Sequence, residues 1–178
     1  MSRVEVDRSL QPVVLPARIV LEVLGHAWET RPEECCGLIV GGAEQRYRRL
    51  VRCRNEMTQR HQADPVAYPR DGRAAFWMSE VDYMHTRDEA EAAGERVTAV
   101  YHSHVKERVY LSEMDLDYAR HAFFPFPDAD QIVVAVPDPD ASHLSMRLED
   151  GCAQDIGIFV WDAAGAAFRG RRVRPSAS

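Results

Sequence analysis

Apolar residues recur at helical spacing over 15–30, where Ile19, Leu21, Val23, Leu24 and Trp28 mark one face of an amphipathic helix. Arg31-Pro32 ends it, because proline cannot extend the hydrogen-bond ladder. The apolar run 36–40 predicts a short strand closed by the turn pair Gly41-Gly42, and looser alternation over 46–54 makes that segment its hairpin partner. The polar stretch 55–70, with Pro65 and Pro69, predicts an extended loop. A helical pattern follows over 71–93, stopped by Gly94.

In 97–102, Val97, Ala99 and Tyr101 alternate with Thr98, Val100 and His102, which predicts a buried strand. A loop over 105–111 leads to a helix over 112–122, which Pro125 and Pro127 keep from extending. Segments 131–136, 143–148 and 156–161 predict three more strands, and 166–173 a last one. Helices and strands mix without regular βα alternation, so the expected fold class is α/β, a twisted mixed sheet with helices packed on it.

A chain of 178 residues suits one domain. We divide it into an N-terminal extension (1–14), a main domain (15–162) and a C-terminal strand and tail (163–178). The formal net charge of −6 argues against nucleic acid as a partner, because phosphate contacts need a concentrated basic face. The arginines of 46–54 alternate with Tyr47, Leu50, Val51 and Cys53, the pattern of a strand's solvated face. No apolar run is long enough to span a membrane, and 1–10 is charged, so a cytoplasmic protein without a signal peptide is expected. Cys35, Cys36, Cys53 and Cys152 show no C-x-x-C spacing and are expected to be reduced, with Cys36 buried.

The candidate chemistry lies in Tyr101-His102-Ser103-His104 and Ser112-Glu113-Met114-Asp115. Residues i and i+2 of a strand share a face, so His102 and His104 can aim both imidazoles at one point. Asp115 can add a carboxylate oxygen. Two histidines and one carboxylate hold zinc with a position left open for water, the pattern of catalytic rather than structural zinc. Ser112 and Asp115 also fit a capping box, Ser112 at N-cap and Asp115 at N3, and the two roles are compatible. A general base is needed beside the water, and Glu34 and Glu33 are both placed for it at the start of the 36–40 strand. A cysteine nucleophile, Cys35 or Cys36, is the rival chemistry.

The segment Pro32-Glu33-Glu34-Cys35-Cys36-Gly37 with Gly41, then His102-x-His104, seven residues to Ser112 and two more to Asp115, resembles the JAMM (MPN-plus) metallopeptidase family in its small prokaryotic single-domain type. Asn55, Asp64-Pro65 and Tyr101 fall where such proteins have similar features. The resemblance implies a cytidine-deaminase-like mixed sheet flanked by helices, one zinc ion on His102, His104 and Asp115, Glu34 as the base, and Ser112 as donor to the oxyanion. It implies as partner a ubiquitin-like or sulfur-carrier protein with a C-terminal Gly-Gly tail, and is compatible with self-association. The competing implication is an inactive MPN-type binding scaffold. Val105 and Leu111 stand where many relatives have proline, so the loop beside the groove departs from the family pattern.

Overall fold

The computed structural model describes residues 3–176. The strands are β1 (Val4–Glu5), β2 (Val13–Pro16), β3 (Cys36–Gly41), β4 (Arg49–Cys53), β5 (Arg96–Val105), β6 (Tyr110–Leu111), β7 (Asp130–Val136), β8 (Leu148–Glu149), β9 (Cys152–Asp162) and β10 (Ala167–Ser176). The helices are α1 (Ala17–Thr30), α2 (Met57–Ala63), α3 (Glu80–Ala92) and α4 (Glu113–Arg120). One eight-stranded sheet runs β2-β10-β9-β7-β5-β3-β4, with β8 on β9. It is mixed: β10 is parallel to β2 and β7 to β5, and the other pairs are antiparallel. β1 and β6 form a separate two-stranded ribbon. Among the described residues no helix is long and apolar enough to cross a membrane.

α1 covers one face of the sheet. Ile19, Val20, Val23, Leu24 and Ala27 repeat at three- and four-residue spacing and pack on Ile39, Ala99, Tyr101, Ile132, Val134 and Ile158. Each of these larger aliphatic side chains contributes about 1.5–3 kcal/mol by leaving water. Leu21, expected on that face, is instead 51% exposed, because the burying stripe runs through Val20 and Leu24.

The opposite face carries Cys36, Leu38, Val40 and Val100, packed against Met78, Ala90, Phe124 and Phe126. Farther along it, Leu111 and Leu116 pack with Val133, Phe159 and Phe168. Strand alternation therefore divides β5: Ala99 and Tyr101 face α1, while Val100 and His102 face α3 and α4.

α3 begins at Glu80, so 71–79, expected to be helical, is not. Asn55 takes up the backbone there, its Oδ1 accepting from Trp77 N–H (2.9 Å) and its Nδ2 donating to the Ala75 carbonyl (3.2 Å). Gly94 ends α3 at φ +71°, with Glu95 N–H on the Ala90 carbonyl (2.8 Å) and Gly94 N–H on Glu91 (3.0 Å). The expected loop 55–70 contains α2, whose one buried residue, Met57, leaves no apolar period to read. The expected strand 143–148 forms only at its end, where Leu148 pairs with Ala153 and the Arg147 carbonyl accepts from Gln154 N–H (2.9 Å), and 143–146 is not part of a strand.

Candidate metal centre

β5 carries both histidines, and its register on β3 sets what lies beside them. Cys36 pairs with His102, and just upstream Ser103 N–H donates to the Cys35 carbonyl (3.0 Å). Cys35 N–H donates in turn to Ser103 Oγ at 2.7 Å. Glu34, two residues before Cys36 in extended chain, is thereby brought to the histidine side of the sheet. Its backbone is held from both directions: its N–H donates to the Gly72 carbonyl (2.6 Å) and its carbonyl accepts from Asn55 Nδ2 (3.0 Å).

α4 delivers the carboxylate. Ser112 is its N-cap, with Oγ accepting from Asp115 N–H (3.2 Å) while Asp115 Oδ2 accepts from Ser112 N–H (2.8 Å). The expected capping box is present, and the same carboxylate reaches the histidines. Asp115 Oδ1 lies 3.3 Å from His102 Nε2, and Oδ2 lies 3.6 Å from His104 Nε2. The two Nε2 atoms are 3.1 Å apart.

These separations test whether the residues fit a metal. Ligands about 2.0–2.1 Å from a tetrahedral centre are about 3.3–3.4 Å from one another, close to all three observed distances. His104 Nδ1 lies 3.2 Å from the Arg108 carbonyl, which assigns its proton to Nδ1 and leaves Nε2 a lone pair. Two imidazole nitrogens and a carboxylate converging so closely form a donor set of the kind a divalent cation takes. His102 is oriented differently. Its Nδ1 is buried without a hydrogen-bond partner among the described residues, and its ring stacks on Phe76 with centroids 4.6 Å apart and planes at 23°. His102, His104 and Asp115 are thus a group that can hold a metal ion.

Burial pushes the Asp115 carboxyl up, but His102, His104 and Ser112 outweigh it and hold it well below the usual carboxylate range. Burial pushes His104 down, but Asp115 and the charge of Glu34 outweigh it and leave the imidazole raised. Glu34 differs: burial dominates and lifts its carboxyl to about 8.

Glu34, His104, Ser112 and Asp115 line one cavity of about 480 Å³, whose walls include Met57, Phe76, Trp77 and Tyr110. Glu33, the rival base, is turned away. Its Oε1 accepts from Thr58 Oγ1 (2.7 Å), and its Oε2 is at the face of Gly72, so it braces a loop. Neither cysteine lines the cavity. Both thiols are buried, and that burial pushes Cys35 up to about 12 and Cys36 well above its ordinary value, which disfavours a thiolate nucleophile. Asn55, Ser103 and Phe76 position the site through contacts distant in sequence, which no local spacing announces.

The family of prokaryotic homologs of the JAB domain matches residues 16–148. The chain belongs to this family. A curated relative of this JAB-domain protein is the CysO-cysteine peptidase of Mycobacterium tuberculosis, 27% identical over 153 residues, covering 83% of this chain and 90% of the relative. A protein of the same name from Mycobacterium bovis matches equally. A solution structure of a Desulfitobacterium hafniense protein superposes with TM-score 0.61 at 16% identity over 93% of both chains, a likeness of fold. The mixed sheet flanked by helices is thus the JAB fold.

Proposed function

We propose that this JAB-domain protein is a zinc-dependent peptidase that hydrolyses the amide or isopeptide bond after the C-terminal Gly-Gly tail of a ubiquitin-like or sulfur-carrier protein. The observation that carries the reading is the convergence of His102, His104 and Asp115, the last two lining one cavity with the buried carboxyl of Glu34. His102, His104 and Asp115 would hold the ion. The chemistry zinc supplies when bound is Lewis acidity, which lowers the pKa of water toward about 7 and polarises a carbonyl.

The chain's own groups account for the rest. Glu34 takes a proton from the attacking water and passes it to the leaving nitrogen. Ser112 Oγ already accepts from Asp115 N–H, so its hydroxyl proton is free to be donated to the oxyanion as the carbonyl becomes tetrahedral. The cavity's apolar residues, Met57, Phe76 and Trp77 among them, offer contacts that suit an extended tail. The CysO-cysteine peptidases supply the support for a sulfur-carrier substrate.

The test is incubation of the purified protein with a cysteine adduct of a Gly-Gly-tailed carrier, with and without chelator, and mass spectrometry of the products. Release of cysteine by the wild type, abolished by chelator and by Glu34→Gln with zinc retained, is expected. Near-wild-type turnover by Glu34→Gln overturns the assignment.

A further inference from the structure

The loop between β5 and α4 carries three groups that support His104 and Asp115. The Arg108 carbonyl meets His104 Nδ1 at 3.2 Å, the Tyr110 ring lies beside the His104 ring with centroids 4.8 Å apart, and Ser112 caps the helix that presents Asp115. The loop turns at Lys106 with φ +63°, a conformation that a non-glycine residue keeps only where its surroundings impose it. Its short strand β6 is not part of the main sheet. Among the described residues β6 pairs with β1 alone, Val4 opposite Leu111 and Glu5 opposite Tyr110.

A two-stranded ribbon is marginally stable by itself, so its grip has to come from what it sits on. Val6 bridges Gly170 of β10, and Asp7 N–H donates to the Gly170 carbonyl (2.9 Å). Val4, Val6 and Val109 pack on the cluster of Leu111, Leu116, Val133, Phe159 and Phe168. Two glycines make room for them. A Cβ on Gly170 would collide with the Glu5 carbonyl, and one on Gly157 would lie 2.6 Å from Val109 Cγ1 and 2.9 Å from Val6 Cγ2. The strap and the loop therefore meet over bare backbone of β9 and β10.

Resting on the metal centre of the peptidase reading above, we propose that Val4 and Val6 are positioning residues of that centre. They clamp Val109–Leu111 onto the sheet, which fixes the Arg108 carbonyl and the Tyr110 ring against His104 and sets the start of α4 beneath Asp115. His102 stacks on Phe76, which belongs to another segment, and lies outside this clamp. Two of the three metal ligands thus depend on a strand distant in sequence that lines neither histidine.

The full chain is tested as Val4→Asp/Val6→Asp, which breaks the apolar seat, and as Gly170→Ala, whose added Cβ displaces β1 while both valines stay. Each is expected to raise hydrogen exchange over 106–112 and to weaken zinc binding about tenfold in competition with a chromophoric chelator. If the first variant fails to fold, the second decides. Val4→Ile/Val6→Ile should keep both quantities at wild-type values. Leu24→Ala, in the core under α1 on the opposite face of the sheet, is the stability control: it should lower Tm and leave zinc affinity unchanged. Wild-type zinc affinity in both strap variants overturns the proposal, and so does an equal loss of affinity in Leu24→Ala. Turnover judges the peptidase reading separately: a wild type that binds zinc and cleaves nothing overturns that reading and leaves the clamp standing.

Discussion

The Tyr101 hydroxyl lies 2.8 Å from His26 Nδ1, joining the buried face of α1 to the strand that carries His102 and His104. Tyr101 is fully buried and His26 is 8% exposed. Burial first, and then the charge of Arg52, lowers the His26 pKa from 6.5 to about 4. The folded state therefore holds His26 neutral, and the unfolded state takes up the proton first. Stability is full above about pH 6.5 and is lost as pH falls from there toward 4, by at most about 3 kcal/mol. Urea midpoints measured between about pH 8 and pH 4 should fall across that window, and His26→Gln should flatten the fall. An unchanged slope in the variant would assign the acid sensitivity to other groups.

Asn55 is expected to hold Glu34 in place. Besides its bonds to Glu34, Ala75 and Trp77, its Oδ1 accepts from Met57 N–H (3.0 Å). Asn55→Ala leaves all of these backbone groups unpaired and should cost about 2–4 kcal/mol in denaturant unfolding. Asn55→Asp keeps the acceptor and loses the donor to the Glu34 carbonyl. It should retain more stability than the alanine variant, yet lower kcat about tenfold with zinc content unchanged. Full activity in Asn55→Asp would mean that the Gly72 contact alone positions the base.

Ser112 and Asp115 share a cap but should separate in their effects. Ser112→Ala removes the acceptor for Asp115 N–H, so the helix loses about 1 kcal/mol, while the three metal ligands remain. Asp115→Asn can still accept from Ser112 N–H, yet removes the negative charge from between two imidazoles. Thermal melts and zinc titrations should diverge: a lower Tm with retained zinc for Ser112→Ala, and near-normal helix stability with weakened zinc for Asp115→Asn. A common loss of zinc in both variants would make the cap itself a condition of metal binding.

What was legible in the sequence is what repeats locally. α1, β3, β5 and α4 were expected from their apolar periods and from Ser112 at a helix start. His102 and His104 share a face because an apolar strand delivers them two residues apart. Periodicity does not choose between Glu33 and Glu34, and only the family resemblance points to Glu34, because the difference depends on Thr58 and Gly72, which fold back from a polar segment without periodicity. The pairing of β2 with β10 and of β1 with β6 joins chain ends to distant strands, and two- to four-residue segments carry too little pattern to declare it. The strand expected over 143–148 is limited by its neighbour: only Leu148–Glu149 pairs with β9, with one further backbone bond to the Arg147 carbonyl.

Phe76 is expected to govern metal affinity through His102. The second nitrogen of His104 is fixed by the Arg108 carbonyl, a backbone group that no substitution removes. His102 has no such bond, and its ring is held by the stack with Phe76, itself edge-on to Tyr118 at 5.4 Å. Groups that orient a ligand from behind typically change metal affinity 10- to 100-fold. Phe76→Ala should therefore weaken zinc binding by about tenfold in competition with a chromophoric chelator, and Phe76→Leu, which keeps an apolar wall without the planar stack, should fall between it and the wild type. Because Phe76 donates no hydrogen bond, the loss should appear as faster zinc release rather than as a changed pH dependence of binding. Wild-type affinity in Phe76→Ala, with the fold intact, would show that β5 alone holds the His102 imidazole on target.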